Sequence, residues 1–199
     1  MIKNVVFDLG NVLLEFTPEK IVDDYVLKES KKEAIYDNIF NSKEWIMLDK
    51  GTISQKQATR RFVDRQPNNK NEIIKIMDNW ISYLKPINKN ISVLKDLANK
   101  EINLYILSNF HEKAFLEVKQ KYDFFDLFDG KVVSFQVNII KPEDKIYKTL
   151  ISKYQINPQN TLFIDDSFNN IKAANKLQFK TIHFNYGIDL ESEVSRFLY

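Results

Sequence analysis

The chain reads as an α/β protein. A parallel sheet carries helices on both faces and is opened after its first strand by an all-helical insertion. Three observations predict this. Short β-branched or aromatic runs recur at 3–9, 102–108, 131–135, 161–165 and 180–184, each consistent with a buried strand. The last four alternate with helix-patterned stretches, which implies right-handed crossovers and parallel pairing. Between the first and second runs lies a block of roughly 65 to 70 residues in which no strand-like run occurs. A length of 199 residues suits one domain with a modest insertion and can bury a core without disulfides or metal staples.

The elements follow in order. KNVVFDL at 3–9 is a buried strand almost at the N-terminus. Thr17-Pro18-Glu19 marks a helix start, with Pro in the first turn and an acid near the positive end. Ser30 with Glu33, and Ser54 with Gln57, fit the capping-box spacing. Gly51 ends one helix before Ser54 caps the next. Ile73, Ile76, Met77, Trp80, Ile81 and Leu84 repeat at helical spacing as one apolar stripe. Trp45, Met47, Trp80 and Tyr83 either face a ligand or fill the core, and core is the commoner use. After Pro86, residues 90–100 read as a helix with Ile91, Leu94 and Leu97 inward. Strand 102–108, helix 111–121 and strand 131–135 follow. Pro142 opens a helix running to about Lys153. Strand 161–165, helix 167–177 and strand 180–184 complete the pattern.

Composition removes several chemistries. With no cysteine there is no disulfide framework, thiolate nucleophile or Cys-ligated metal. Two histidines leave little room for a His-rich metal site. Four isolated glycines, Gly10, Gly51, Gly130 and Gly187, cannot build a G-x-G-x-x-G or P-loop cradle. A net charge of +2, with basic and acidic residues interleaved, predicts no affinity for nucleic acid or anionic membrane. The N-terminus is not a signal peptide, and no apolar run can span a bilayer. The expected setting is the cytoplasm.

In open parallel sheets, ligands sit beyond the carboxyl ends of the strands. Asp8 ends the first strand, Ser108 and Asn109 the second, and Asp165 and Asp166 the 161–165 strand. Lys141 precedes the helix at Pro142. Taken singly, each has a structural reading: a turn for Asp8, helix capping for Ser108 and for Asp165–Asp166, surface for Lys141. Together, three carboxylates, a hydroxyl, an amide and a lysine on one edge suit a divalent cation and a phosphate. Mg²⁺ takes carboxylate, carbonyl and water oxygens, with substrate phosphate completing its shell. Lys141 and Ser108 could take the remaining phosphate oxygens, and helix N-termini after Asn109 and Asp166 add positive dipole ends.

FDLGNVL at 7–13, ILSNF at 106–110, KPEDKIY at 141–147 and FIDDSFNNIKAA at 163–174 carry a resemblance. In this order and at these spacings the chain resembles the haloacid dehalogenase-like hydrolase superfamily over nearly its full length. It is most similar to the subgroup opening with D-L-G-N-V, which includes α-glucose-1-phosphatase-like sugar-phosphate phosphatases, and to the N-terminal phosphatase domain of epoxide hydrolases. The resemblance implies a Rossmann-like core at 1–14 and 86–199 and a small helical cap at 15–85. It implies an Mg²⁺-dependent phosphatase acting on a small phosphorylated metabolite such as a sugar phosphate. Asp8 matches the nucleophile that forms an aspartyl-phosphate. Asp8, the Gly10 carbonyl and Asp166 match the metal ligands, Asp165 and Asn170 match positions supporting the metal through waters, and Ser108 and Lys141 match the phosphate-binding pair, with Asn109 orienting the loop. The metal-free dehalogenase branch fits less well, since Asp165–Asp166 suits a metal. A response-regulator receiver carries its acidic pair near the N-terminus instead.

One position departs from the family pattern. The second Asp of D-x-D, a general acid and base, is Gly10 here. A backbone carbonyl ligand survives that change, but a proton donor does not, and a positioned acid is worth about 10²–10⁴-fold. Glu15, Asp49 and His111 are candidate substitutes that spacing does not separate. The competing reading is a catalytically weak or silent regulatory protein that binds phosphorylated ligands. Neither the substrate nor the oligomeric state is specified by the sequence.

Overall fold

A computed structural model describes residues 1–198. Five parallel strands form one sheet in the order β3-β2-β1-β4-β5. They are β1 (Asn4–Phe7), β2 (Asn103–Ser108), β3 (Gly130–Val133), β4 (Thr161–Asp165) and β5 (Lys180–His183). The central β1 pairs with both β2 and β4, Phe7 lying level with Ile106 and with Ile164. The register therefore delivers Asp8, Asp165 and the end of β2 to one edge. The chain order also reverses between β1 and β4, and crevices at such reversals are where α/β sheets bind ligands.

Strand periodicity splits the core in two. Val5, Phe7, Leu104, Ile106, Leu162 and Ile164 pack on one face, while Val6, Tyr105, Leu107 and Phe163 pack on the other, as alternation requires. The first face is covered by α6 (Asn88–Ala98), α7 (Glu112–Lys121) and α11 (Leu190–Leu198). The second is covered by α9 (Asp144–Tyr154) and α10 (Phe168–Lys176).

Between β1 and α6 come α1 (Pro18–Tyr25), α2 (Glu29–Ile39), α3 (Lys43–Asp49), α4 (Gln55–Arg65) and α5 (Lys70–Asn79), with short 3₁₀ turns at 67–69 and 80–83. The two ends of this segment run side by side. The Glu15 N–H donates to the Lys85 carbonyl at 2.8 Å, and the Ile87 N–H to the Leu13 carbonyl at 2.9 Å. Ile73, Ile76, Met77, Trp80, Ile81 and Leu84 are all buried, as their spacing predicts.

Six local expectations change. The first strand, expected over 3–9, is confined to Asn4–Phe7, so Asp8 lies just beyond it. The capping box at Ser54–Gln57 forms, but Ser30 does not cap: α2 starts at Glu29 with Lys28 in the cap position and no side-chain cap bond. The third strand stops at Val133, because Ser134 begins a short helix, α8 (Ser134–Val137), and its hydroxyl accepts from the Phe110 N–H. Pro142 lies two residues before α9 rather than in its first turn. Asn109 engages the Lys141 backbone through both N–H and C=O, which holds that stretch out of the helix. The last strand ends at His183, one residue short of expectation. Helix α11 was not foreseen, although Leu190 and Val194 give it an inward pair at i, i+4. Among the described residues no helix is long and apolar enough to cross a membrane.

Candidate active site

Asp8 follows β1 directly. Its Oδ1 accepts from the Leu9 N–H at 2.8 Å and from Lys141 Nζ at 2.8 Å. The same ammonium donates to Asp165 Oδ2 at 2.6 Å. Asp165 is saturated otherwise: its Oδ1 accepts from the Ser167 N–H at 2.8 Å and from Asn170 Nδ2 at 2.9 Å. Asp166 accepts from Asn11 Nδ2 at 3.1 Å and presents its carboxylate to a cavity of about 350 Å³. Asp8, Gly10, Asn109, Lys141, Asp166 and Asn170 line that cavity. Asp165 and Ser108 do not. Both are fully buried, and the Ser108 hydroxyl makes only a long 3.5 Å contact to the Asn109 carbonyl.

Among the described residues Lys141 is the sole cation paired with these acids, and its side chain is 1% exposed. Burial opposes its charge, yet Asp165 and Asp8 hold its pKa above the ordinary lysine value. One ammonium does not neutralise three carboxylates. Burial pushes Asp8 up to about 7, with Lys141 opposing and Asp165 and Asp166 adding. Burial, then Asp165, raises Asp166 as well. A site whose acids are held back from ionising by one another and by desolvation calls for added positive charge. The geometry can accept it: one oxygen from each of Asp8, Asp165 and Asp166 lies within 4.8 Å of the others. An all-oxygen donor set of this kind fits Mg²⁺.

The same cavity has an aromatic lining that comes largely from the insertion. Phe16, Trp45, Trp80, Leu84 and His111 line it, together with Asp49. Trp45 stacks on Phe16 at 5.9 Å, and His111 sits 4.3 Å from Trp45 and 5.0 Å from Trp80. Of the four aromatic or sulfur side chains weighed from sequence, Trp45 and Trp80 reach the cavity. Tyr83 instead donates to Asp24 at 2.7 Å, and the Met47 sulfur faces Arg61. Of the three substitute acids, Glu15 is exposed and does not line the cavity, whereas Asp49 and His111 do.

Sequence reasoning missed Asn11. It adopts φ 52°, a left-handed conformation that Asn tolerates better than most residues. That turn lets its amide bond Asp166 and also accept from the Phe16 N–H at 3.0 Å. Its place directly after Gly10 in FDLGNVL was the available signal.

A family model for haloacid dehalogenase-like hydrolases matches residues 2–178. The chain belongs to that family. It is 25% identical over 181 residues to a sesquiterpene phosphatase of Aspergillus oryzae, covering 91% of this chain and 89% of that protein. It is 23% identical over 205 residues to a D-ribitol-5-phosphate phosphatase of Bacteroides thetaiotaomicron, covering 98% of each. A solved haloacid dehalogenase family enzyme from the same bacterium, in complex with magnesium and inorganic phosphate, superposes with a TM-score of 0.80 at 24% identity, over 97% of this chain and 99% of that one. At that identity the superposition speaks for the fold.

Proposed function

We propose that this haloacid dehalogenase-family phosphatase is Mg²⁺-dependent and hydrolyses a small phosphomonoester through an aspartyl-phosphate on Asp8. The observation that carries the reading is the arrangement of Asp8. Its carboxyl lies at the cavity floor, held by Lys141 and clustered with Asp165 and Asp166. The phosphate and magnesium found in the related enzyme, and the phosphatase names of the full-length relatives, support it.

Residues 15–85 act in this reading as a cap whose aromatic side closes over the leaving group. Asp8, the Gly10 carbonyl and Asp166 would hold the ion directly, and Asp165 and Asn170 through waters. The bound cation supplies charge neutralisation between the anionic nucleophile and the anionic phosphate. Asp8 attacks phosphorus in line with the ester oxygen, the P–O ester bond breaks, and the new acyl phosphate is hydrolysed by water. Lys141, already within reach of Asp8, binds a phosphoryl oxygen and offsets charge as it shifts. Asn109 fixes the Lys141 backbone from both sides and so sets where that ammonium stands. Asn11 and Asn170 orient Asp166 and Asp165 in the same manner.

The test is Mg²⁺-dependent phosphate release from p-nitrophenyl phosphate and a panel of sugar, polyol and isoprenoid phosphates, beside Asp8→Asn. Turnover that chelation and Asp8→Asn both abolish is expected. No turnover, or equal turnover in the variant, leaves the silent phospho-ligand-binding protein as the reading.

A further inference from the structure

We propose that Asp49, carried by the helical insertion, is the general acid that protonates the departing alcohol. It then serves as the base that activates water in the second step, replacing the side chain that Gly10 lacks. The inference rests on the reading above and adds a residue to it.

Position comes first. Asp49 is the last residue of α3 and lines the same cavity as Asp8. The helix end is fastened to the sheet edge on three sides. Ser134 donates to the Asp49 carbonyl, Asn138 Nδ2 donates to the Lys50 carbonyl at 2.7 Å, and Lys50 Nζ pairs with Glu143 at 2.8 Å. Gly51 at φ +66° closes the helix, its N–H bonded to the Leu48 carbonyl and that of Thr52 to the Met47 carbonyl. This is a Schellman ending, which fixes the direction of the last turn.

The second observation is what Asp49 lacks. Among the described residues no N–H is hydrogen-bonded to its carboxyl; His111 Nε2 lies 3.4 Å from Oδ1 without a hydrogen bond between them. It is also outside the cluster of acids that could share an ion. A carboxyl facing an aromatic cavity with no donor is costly to ionise and holds its proton. Burial, followed by the charge of Asp8, lifts it to about 8, with Lys141 opposing. The groups facing it are Asp8 and Lys141 from the sheet edge and His111 from the start of α7.

Geometry and charge separate the rivals. Glu15 is exposed and off the cavity. His111 is held by burial at about 3, so at neutral pH it has no proton to give as an acid. The balance closes over two steps. As the P–O ester bond breaks, the Asp49 proton passes to the leaving oxygen and the alcohol departs. The Asp49 carboxylate then takes a proton from the water that attacks the aspartyl-phosphate. Phosphate and the Asp8 carboxylate are released, and Asp49 is again protonated.

The test compares kcat/KM for an alkyl phosphate, which needs a protonated leaving group, with p-nitrophenyl phosphate, whose phenolate leaves without a proton. This parameter reads only as far as departure of the leaving group. Asp49→Asn, close in size and already neutral, should lower kcat/KM on the alkyl ester about 10²–10⁴-fold, and on the aryl ester at least tenfold less. A Cβ at Gly10 meets nothing within 4 Å. Gly10→Asp in the Asp49→Asn background should therefore restore much of the alkyl activity. Equal losses on both esters, or no loss on either, overturn the assignment of Asp49 while leaving Asp8 as nucleophile intact. Absence of Mg²⁺-dependent turnover in the unsubstituted protein overturns both.

Discussion

Replacing Lys141 by Met isolates the electrostatics of the site from its chemistry. Met keeps most of the stem volume and deletes the ammonium that bonds Asp8 at 2.8 Å and Asp165 at 2.6 Å. Removing one partner of a buried ion pair typically costs about 3–5 kcal/mol, because the other charge is stranded. For a chain of this length about 1 kcal/mol moves Tm by roughly 2–4 °C, so a fall of about 6–20 °C is expected. The loss must also depend on pH. Lys141 opposes the burial that raises the Asp8 carboxyl, so without the ammonium Asp8 keeps, to still higher pH, a folded-state proton that it releases when unfolded. A folded pKa above the unfolded one means that stability drops as pH rises, by up to about 1.4 kcal/mol per unit. Lys141→Met should thus be mildest near pH 5 and severest near pH 8. Urea unfolding followed by circular dichroism, with chelator present at both pH values, reads this directly. A loss under about 1 kcal/mol, or one of equal size at both pH values, refutes the charge-pairing argument.

Three further outcomes are expected. Mg²⁺ should raise the Tm of the unsubstituted protein, by about 2.7 kcal/mol of stability at a hundredfold excess over its Kd; a thermal-shift titration in which Asp166→Asn responds equally would remove Asp166 from the ion site. Gly51→Ala puts a Cβ 2.6 Å from the Phe135 carbonyl oxygen at φ +66°, so it should cost upwards of about 2 kcal/mol and displace the end of α3; chemical denaturation within error of the parent would contradict the fold around Asp49. His111 stays neutral in the fold down to about 3, whereas in the unfolded chain it titrates near 6.5. The unfolded state alone gains that proton below about pH 6.5, so His111 subtracts stability as pH falls, by up to about 1.4 kcal/mol per unit. His111→Phe should flatten that arm of the stability curve relative to the parent, and parallel curves would count against a buried neutral imidazole.

What could be read from sequence followed from how local the signal was. Strands on β-branched runs and the Ser54–Gln57 cap are written within a few residues, and all five strands and the cap formed, most strands ending short of the expected bounds. That Asp8, Lys141 and Asp166 meet at one cavity was legible because strand ends in a parallel sheet converge by topology, whatever the side-chain details. The errors lie where a distant partner overrides a local preference. Ser134 leaves the strand because its hydroxyl is used by Phe110 and Asp49. Pro142 misses the helix because Asn109, 32 residues away, holds Lys141. The choice among Glu15, Asp49 and His111 was illegible for the same reason: it depends on which side of a folded insertion each residue faces and on how much water reaches it.

Moving the acid from the strand loop to the insertion changes what controls the chemistry. A carboxyl at position 10 would stand beside the nucleophile in any arrangement of the insertion. Asp49 stands there only while the end of α3 is fastened to Ser134, Asn138 and Glu143. The same docking supports its protonation, since burial, followed by the charge of Asp8, is what lifts its pKa. Released into water, Asp49 would return to the ordinary carboxylate range and lose its proton at neutral pH. Position and protonation of the donor therefore depend on one feature, the seating of the end of α3 against Ser134, Asn138 and Glu143. An alcohol leaving group is served only when both are in place.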